Sequence, residues 1–113
     1  MSPRDTENGS FAMIKDPGGS VVGAWEPKEV KGFEVTREAG TPTWFELHTG
    51  AYDDAVSFYR DVFGWDTHVM SDTEEFRYTT LGKDEDALAG IMHDPGEPTG
   101  WNVYFEVADV DAA

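Results

Sequence analysis

The chain has 113 residues, of which 39% are hydrophobic and 13% aromatic, as is typical of one small globular domain. It contains no cysteine, which excludes disulfides, thiolate nucleophiles and Cys-ligated zinc. Its net charge of −15 disfavours nucleic-acid partners, because a polyanion repels phosphate backbones. No apolar run approaches the ~20 residues of a membrane span, so we expect a cytoplasmic protein without a membrane partner.

The N-terminal part predicts a β-hairpin followed by a linker. Two apolar strands flank a polar turn in the stretch FAMIKDPGGSVVGAW. Residues 26–40 read EPKEVKGFEVTREAG, and their charge, proline and glycine are typical of a linker.

The next stretch, TWFELHT, alternates as a strand does. Phe45 and Leu47 point to one face, and Trp44, Glu46 and His48 point to the other. Because a helix follows directly, we expect Phe45 and Leu47 to pack against it. The opposite face then carries a Trp, a Glu and a His together, which is an unusual set of residues for contact with bare solvent.

The stretch GAYDDAVSFYRDVFGW predicts that helix. Its apolar residues follow the i, i+3, i+4, i+7 spacing of one helical face. Gly64 stands where a left-handed residue ends a helix, and Trp65 can fold back onto the last turn.

Four further strands are predicted after the helix. Three of them cover residues 66–70, 76–81 and 87–92, and a polar turn, GKDED, joins the last two. The stretch HDPGEPTG reads as a loop, and WNVYFEV reads as the fourth strand.

Two internal repeats indicate a duplicated unit. An offset of 58 residues places TWFELHTGAYDDA over WNVYFEVADVDAA, with Trp44 over Asn102. An offset of 67 residues places Gly23 over Gly90 in two similar hairpins. We therefore expect residues 1–25 to be the closing hairpin of a preceding βαβββ module, 26–40 a linker, 41–95 a complete module, and 96–113 the first strand and helix start of a following module.

Three stretches, AVSFYRDVFGW, KDPGGSVVGAWEP and YFEVADVDAA, resemble the vicinal oxygen chelate superfamily, which includes glyoxalase I, bleomycin-resistance proteins and extradiol dioxygenases. The layout is similar to that of tandem glyoxalase-like proteins of actinobacteria. The resemblance implies an α+β fold of βαβββ modules, with a mixed curved sheet around a cavity and the helix on the convex face.

The resemblance also implies four metal-ligand positions, which fall on Trp44, Asn102, Gly90 and Gly23. None carries a histidine or a carboxylate, so we expect no metal and no other cofactor. The two glycines would enlarge the cavity or let a ligand approach the backbone. The residues expected to bind a small-molecule ligand are Trp44, Glu46, His48, Gly90, Asn102, Tyr104 and Gly23.

Several alternatives remain open. His48 beside Glu46 is a candidate general base, and Tyr104 a candidate proton donor. Glu46, His48 and Glu106 could form a relocated divalent-metal site of a lyase, isomerase or dioxygenase. The main hypothesis is a metal-free small-molecule binding protein. A structural fragment completed by a homodimer, with exchange of identical elements, is the third reading.

Overall fold

A computed structural model describes residues 3–33, 37–96 and 99–112. It contains a three-stranded sheet, a five-stranded sheet and one α-helix. The elements are β1 (Arg4–Asp5), β2 (Gly9–Lys15), β3 (Val21–Pro27), β4 (Pro42–Thr49), α1 (Tyr52–Phe63), β5 (Thr67–Asp72), β6 (Arg77–Leu81), β7 (Ala89–His93) and β8 (Gly100–Phe105). No helix in the described part of the chain has the length and apolar character needed to cross a bilayer.

The five-stranded sheet is mixed and has the order β5-β6-β7-β4-β8. Strand β4 pairs in parallel with β7 and antiparallel with β8. The predicted α+β class with a βαβββ module is thereby confirmed. Phe45 lies directly opposite Val103, and these two residues are separated by the 58-residue offset of the repeat. This register is the one expected when two copies of one strand pair about a local twofold axis.

Helix α1 begins and ends where the sequence pattern predicts. Gly64 terminates it in the left-handed conformation, with φ of 69°, and donates its backbone N–H to the Tyr59 carbonyl. The Trp65 ring then stacks on Tyr59 with a centroid separation of 4.8 Å.

The core lies between α1 and one face of the five-stranded sheet. Leu47 on β4 and Ile91 on β7 are fully buried there with Tyr59 of the helix. Leu47 therefore packs as expected from the alternation of its strand. Phe45 lies on the same face but stacks on Phe33 of the linker, with ring centroids 5.7 Å apart.

Strands β2 and β3 form the predicted hairpin, which lies on the helix side of the sheet. The Asp16 carboxylate accepts hydrogen bonds from the backbone N–H groups of Gly18 and Ser20, which fixes the turn. The Tyr59 hydroxyl donates to the same carboxylate at 2.8 Å and accepts from the Trp101 indole at 3.2 Å. One buried phenol thus ties the hairpin, the helix and β8 together.

Several boundaries differ from those predicted. Strand β3 continues to Pro27, two residues into the expected linker. Strand β5 extends to Asp72, and its register with β6 is irregular between Val69 and Ser71. The turn before β7 contains a short 3-10 helix, Asp84–Asp86. The division into modules stays a prediction. Residues 1–2 of its first segment, 34–36 of its linker, and 97–98 and 113 of its last segment lie outside the described residues.

Candidate functional site

The face of the five-stranded sheet opposite α1, here called the open face, carries polar and aromatic side chains. Residues directly opposite one another on neighbouring strands point to the same face. Glu46 on β4 lies opposite Asn102 on β8, and Trp44 lies opposite Tyr104. On its other side Glu46 is paired with Gly90 of β7. The open face therefore brings together six of the seven predicted ligand-binding residues.

The Glu46 carboxylate is the centre of a hydrogen-bond network. Its Oε1 accepts from His48 Nε2 at 2.6 Å and from the Tyr104 hydroxyl at 3.0 Å. Its Oε2 accepts from the Tyr78 hydroxyl at 2.5 Å. The Trp44 indole in turn donates to the Tyr78 oxygen at 3.0 Å. We call Trp44, Glu46, His48, Tyr78 and Tyr104 the open-face cluster.

Tyr78 reaches Glu46 by crossing a whole strand. It belongs to β6, whereas Glu46 belongs to β4, and β7 lies between them. The phenol passes over Gly90, where an added Cβ would overlap the Tyr78 side chain. The space left by this glycine is therefore filled by the phenol. Tyr78 is not among the residues predicted from the sequence, although its place two residues before Thr80, which pairs with Gly90, puts it on the open face.

The negative charge of the cluster lies on the Glu46 carboxylate. Partial burial alone would raise the pKa of this carboxyl, but the hydrogen bonds from Tyr78, His48 and Tyr104 outweigh burial and lower the pKa. Burial and the neighbouring carboxylate raise the pKa of Tyr78. The hydrogen bond to Glu46 also raises the pKa of Tyr104. The network is thus one carboxylate that accepts hydrogen bonds from two neutral phenols and an imidazole.

His48 lies between two carboxylates. Besides the Nε2 contact to Glu46, its Nδ1 is 3.8 Å from Asp94 Oδ2, and 22% of its side chain is exposed. A general base needs a free ring nitrogen within reach of the substrate proton. In this arrangement Nε2 faces Glu46, which leaves Nδ1, on the side of Asp94, as the ring nitrogen available for proton transfer.

Two other predicted residues lie away from the cluster. Gly23 is in the hairpin on the helix side, where an added Cβ would lie 3.6 Å from the Met13 sulfur, and it borders an apolar cavity of about 410 Å³. Glu106 is placed to accept a hydrogen bond from the Thr43 hydroxyl at 3.4 Å. The cavity is lined by Val21, Val22, Gly23, Phe45, Trp65, Leu81, Leu88, Ala89 and Trp101.

The open face does not fit the metal centre that the resemblance implies. The Tyr78 phenol occupies the space over Gly90, the Trp44 indole donates to that phenol, and Glu46 already accepts three hydrogen bonds. Protein metal sites need several converging donor side chains. Across residues 3–33, 37–96 and 99–112, no group of three or more His, Asp or Glu side chains is placed to hold a metal ion.

No family model matches the chain. The chain is 36% identical over 106 residues to "Putative glyoxylase CFP32" of Mycobacterium bovis, a match covering 92% of this chain and 41% of that protein. It is 34% identical over 95 residues to "Anthracycline biosynthesis protein DnrV" of Streptomyces peucetius, which covers 69% of this chain and 34% of that protein. These glyoxalase-like relatives and the βαβββ module indicate the same family. The chain belongs to the vicinal oxygen chelate superfamily. It spans about two-fifths of the length of its mycobacterial relative.

Substituting Gly90 tests the packing of this superfamily member's open face. Gly90→Ala places a methyl group where the Tyr78 side chain lies. We expect a loss of about 1–3 kcal/mol in the free energy of unfolding, measured by urea denaturation. In a Tyr78→Ala background the same substitution should cost much less, because the obstructing ring is gone.

Gly100→Ala is the matched control for this experiment. Gly100 lies on β8 opposite His48, and an added Cβ there meets no atom of the described residues within 4 Å. Its substitution should leave stability nearly unchanged. An equal cost for both alanine variants, or a Gly90→Ala cost that persists without Tyr78, would contradict the described packing.

The lowered pKa of Glu46 predicts a contribution to acid sensitivity. The stability from this carboxylate is present above its unfolded pKa of about 4.3 and is lost as the pH falls through the lower folded pKa. Glu46→Gln should therefore lose less unfolding free energy than the unsubstituted chain between roughly pH 5 and pH 3. Glu29→Gln, at an exposed position, should follow the unsubstituted chain. Parallel acid profiles for all three proteins would contradict a contribution of Glu46 to acid sensitivity.

Proposed function

We propose that this chain is a small-molecule binding module of the glyoxalase and bleomycin-resistance type, which holds its ligand on the open face without a metal. The observation that carries the proposal is the bond between Tyr78 and Glu46 above Gly90. This bond places the Tyr78 phenol over Gly90, one of the metal-ligand positions that the resemblance implies. Small-molecule sites combine apolar and aromatic walls with a few fixed polar groups, and the open-face cluster supplies both.

The names of the relatives support small-molecule chemistry. One is named for glyoxylase and another for anthracycline biosynthesis, and both names refer to small organic compounds. The Asn102 amide is exposed, the Tyr104 ring is half-exposed, and both lie on β8 beside Glu46. Both are therefore available for contact with a ligand. Ligand specificity would then come from side chains on β4, β6 and β8 together.

An enzyme is the alternative within the same superfamily. Glu46, His48 and Tyr104 would have to act as acid or base groups, or a lyase, isomerase or dioxygenase would have to draw metal ligands from elsewhere. The hydrogen bond between Tyr104 and Glu46 already engages both of these groups and favours binding over acid–base roles for this pair. Nδ1 of His48 is the ring nitrogen that such an enzyme would use.

Metal analysis of the purified chain separates these readings. We expect far less than one equivalent of any transition metal after dialysis, and unchanged thermal stability when a chelator is added. Near-stoichiometric metal that is lost in Glu46→Gln or Glu106→Gln would overturn the proposal. Turnover that chelators abolish and divalent ions restore would favour the enzyme.

Association into a homodimer is a second proposal, and the edge of the sheet favours it. β8 is the last strand of the sheet order, and it exposes Val103 by 50% and Phe105 by 58%. An exposed apolar edge strand is a template for pairing with another chain. A second copy pairing along β8, or exchanging this strand, would cover that edge.

Light scattering tests the dimer. We expect a solution mass of twice the 12.5 kDa chain and a shift toward monomer in Val103→Lys. Val69→Lys is the control, because Val69 is 67% exposed on β5 at the opposite edge. A well-folded monomer, or equal effects of the two lysines, would contradict association through β8.

A further inference from the structure

The Glu46 carboxylate has one hydrogen-bond position left. An ionised carboxylate offers about four acceptor positions, two on each oxygen. Among residues 3–33, 37–96 and 99–112, Oε1 accepts from His48 and Tyr104, whereas Oε2 accepts from Tyr78 alone. The Glu46 side chain also keeps 15% of its surface exposed. The remaining acceptor position on Oε2 is therefore a charged acceptor that the cluster can offer to a ligand.

The other polar hydrogens of the cluster are already used. The Tyr78 and Tyr104 hydroxyls both donate to Glu46, and the Trp44 indole donates to Tyr78. A ligand that approaches as an acceptor would have to break one of these bonds. A ligand that approaches as a donor completes the coordination of Oε2 without breaking any.

The electrostatic surroundings favour a positive charge on that donor. Within the described part of the chain, the basic side chain that contacts the Glu46 carboxylate is His48, and neither lysine nor arginine contacts it. The hydrogen bonds that lower the pKa of Glu46 keep it charged at neutral pH. The whole chain carries a net charge of −15, which raises the local concentration of cations.

The rings around Glu46 suit the same kind of ligand. Trp44, Tyr78 and Tyr104 all contact the network, and Phe76 stacks on Tyr78 with ring centroids 5.6 Å apart. Aromatic faces attract cations through the ring quadrupole and also pack against flat apolar groups. A carboxylate next to several rings therefore selects an amine attached to a flat or aromatic body.

We propose that the ligand of the open-face cluster is a small organic cation, whose protonated amine donates to Glu46 Oε2 while its flat apolar part lies against the aromatic rings. This inference rests on the proposed function and adds the ligand class. An open face of this kind prefers cationic ligands, whereas a face that carries a divalent metal would attract oxygen anions.

Three probes that share one ring system test the charge preference. They are 1-naphthylmethylamine, which is cationic at neutral pH, 1-naphthalenemethanol, which is neutral, and 1-naphthoate, which is anionic. Titration into the full chain, followed by the NMR signal of the Trp44 indole N–H, measures each affinity. We expect the amine to bind about tenfold more tightly than the alcohol, and the carboxylate to bind most weakly.

Glu46→Gln and Glu29→Gln are matched variants, because both remove one carboxylate and keep its size. Glu46→Gln should bring the amine down to the affinity of the alcohol, and Glu29→Gln, at an exposed position outside the cluster, should keep the preference. In the unsubstituted chain, nuclear Overhauser effects from the amine's methylene to the Tyr78 or Tyr104 ring should place the probe, whether or not the Gln variant folds.

The outcomes separate the two proposals. Equal binding of amine and alcohol, or tighter binding of the carboxylate, would overturn the cation preference and leave small-molecule binding in place. A preference that survives in Glu46→Gln would also overturn it. Failure of all three probes to perturb open-face signals would count against both proposals.

Discussion

A carboxylate in the middle of a sheet face needs partners, and the way Glu46 obtains them organises the open face. Glu46 projects from β4, which has a paired strand on each side. Taking a carboxylate partly out of water is costly unless hydrogen bonds replace those to solvent. Its three donors come from three different strands: His48 on β4, Tyr78 on β6 and Tyr104 on β8. The network therefore links the strands through side chains as well as through the backbone ladder.

The hydrogen bond from Tyr78 to Glu46 requires that residue 90 have no side chain. Neighbouring strands lie about 4.8 Å apart, so the phenol of Tyr78 must span two such spacings to reach β4. It can do so only by lying close over the intervening strand, where Gly90 leaves room. The same β4 strand turns Leu47 toward the helix and Glu46 toward the open face. Alternation along one strand thus separates the residues that stabilise the fold from those that offer chemistry.

Local patterns in the sequence predict the helix and the face of Glu46, because both depend on spacing within one element. Gly64 and Trp65 mark the helix end for the same reason. Tyr78 was missed because its role requires the strand order β6-β7-β4, which no local pattern contains. Gly90 was expected to open space, yet whether a glycine leaves a void depends on which neighbour fills it. Gly23 was expected beside the ligand, but the docking of its hairpin through Asp16 and Tyr59 places it on the helix side.

The energetic coupling between Tyr78 and Glu46 tests the central claim most directly. A double-mutant cycle with Tyr78→Phe, Glu46→Gln and the combined variant isolates this pair in the free energy of unfolding. A hydrogen bond from a phenol to a carboxylate that is mostly buried predicts a coupling energy of about 1–2 kcal/mol at neutral pH. The coupling should shrink at acidic pH, where Glu46 is protonated. Additive effects at neutral pH would mean that the pair does not organise the open face.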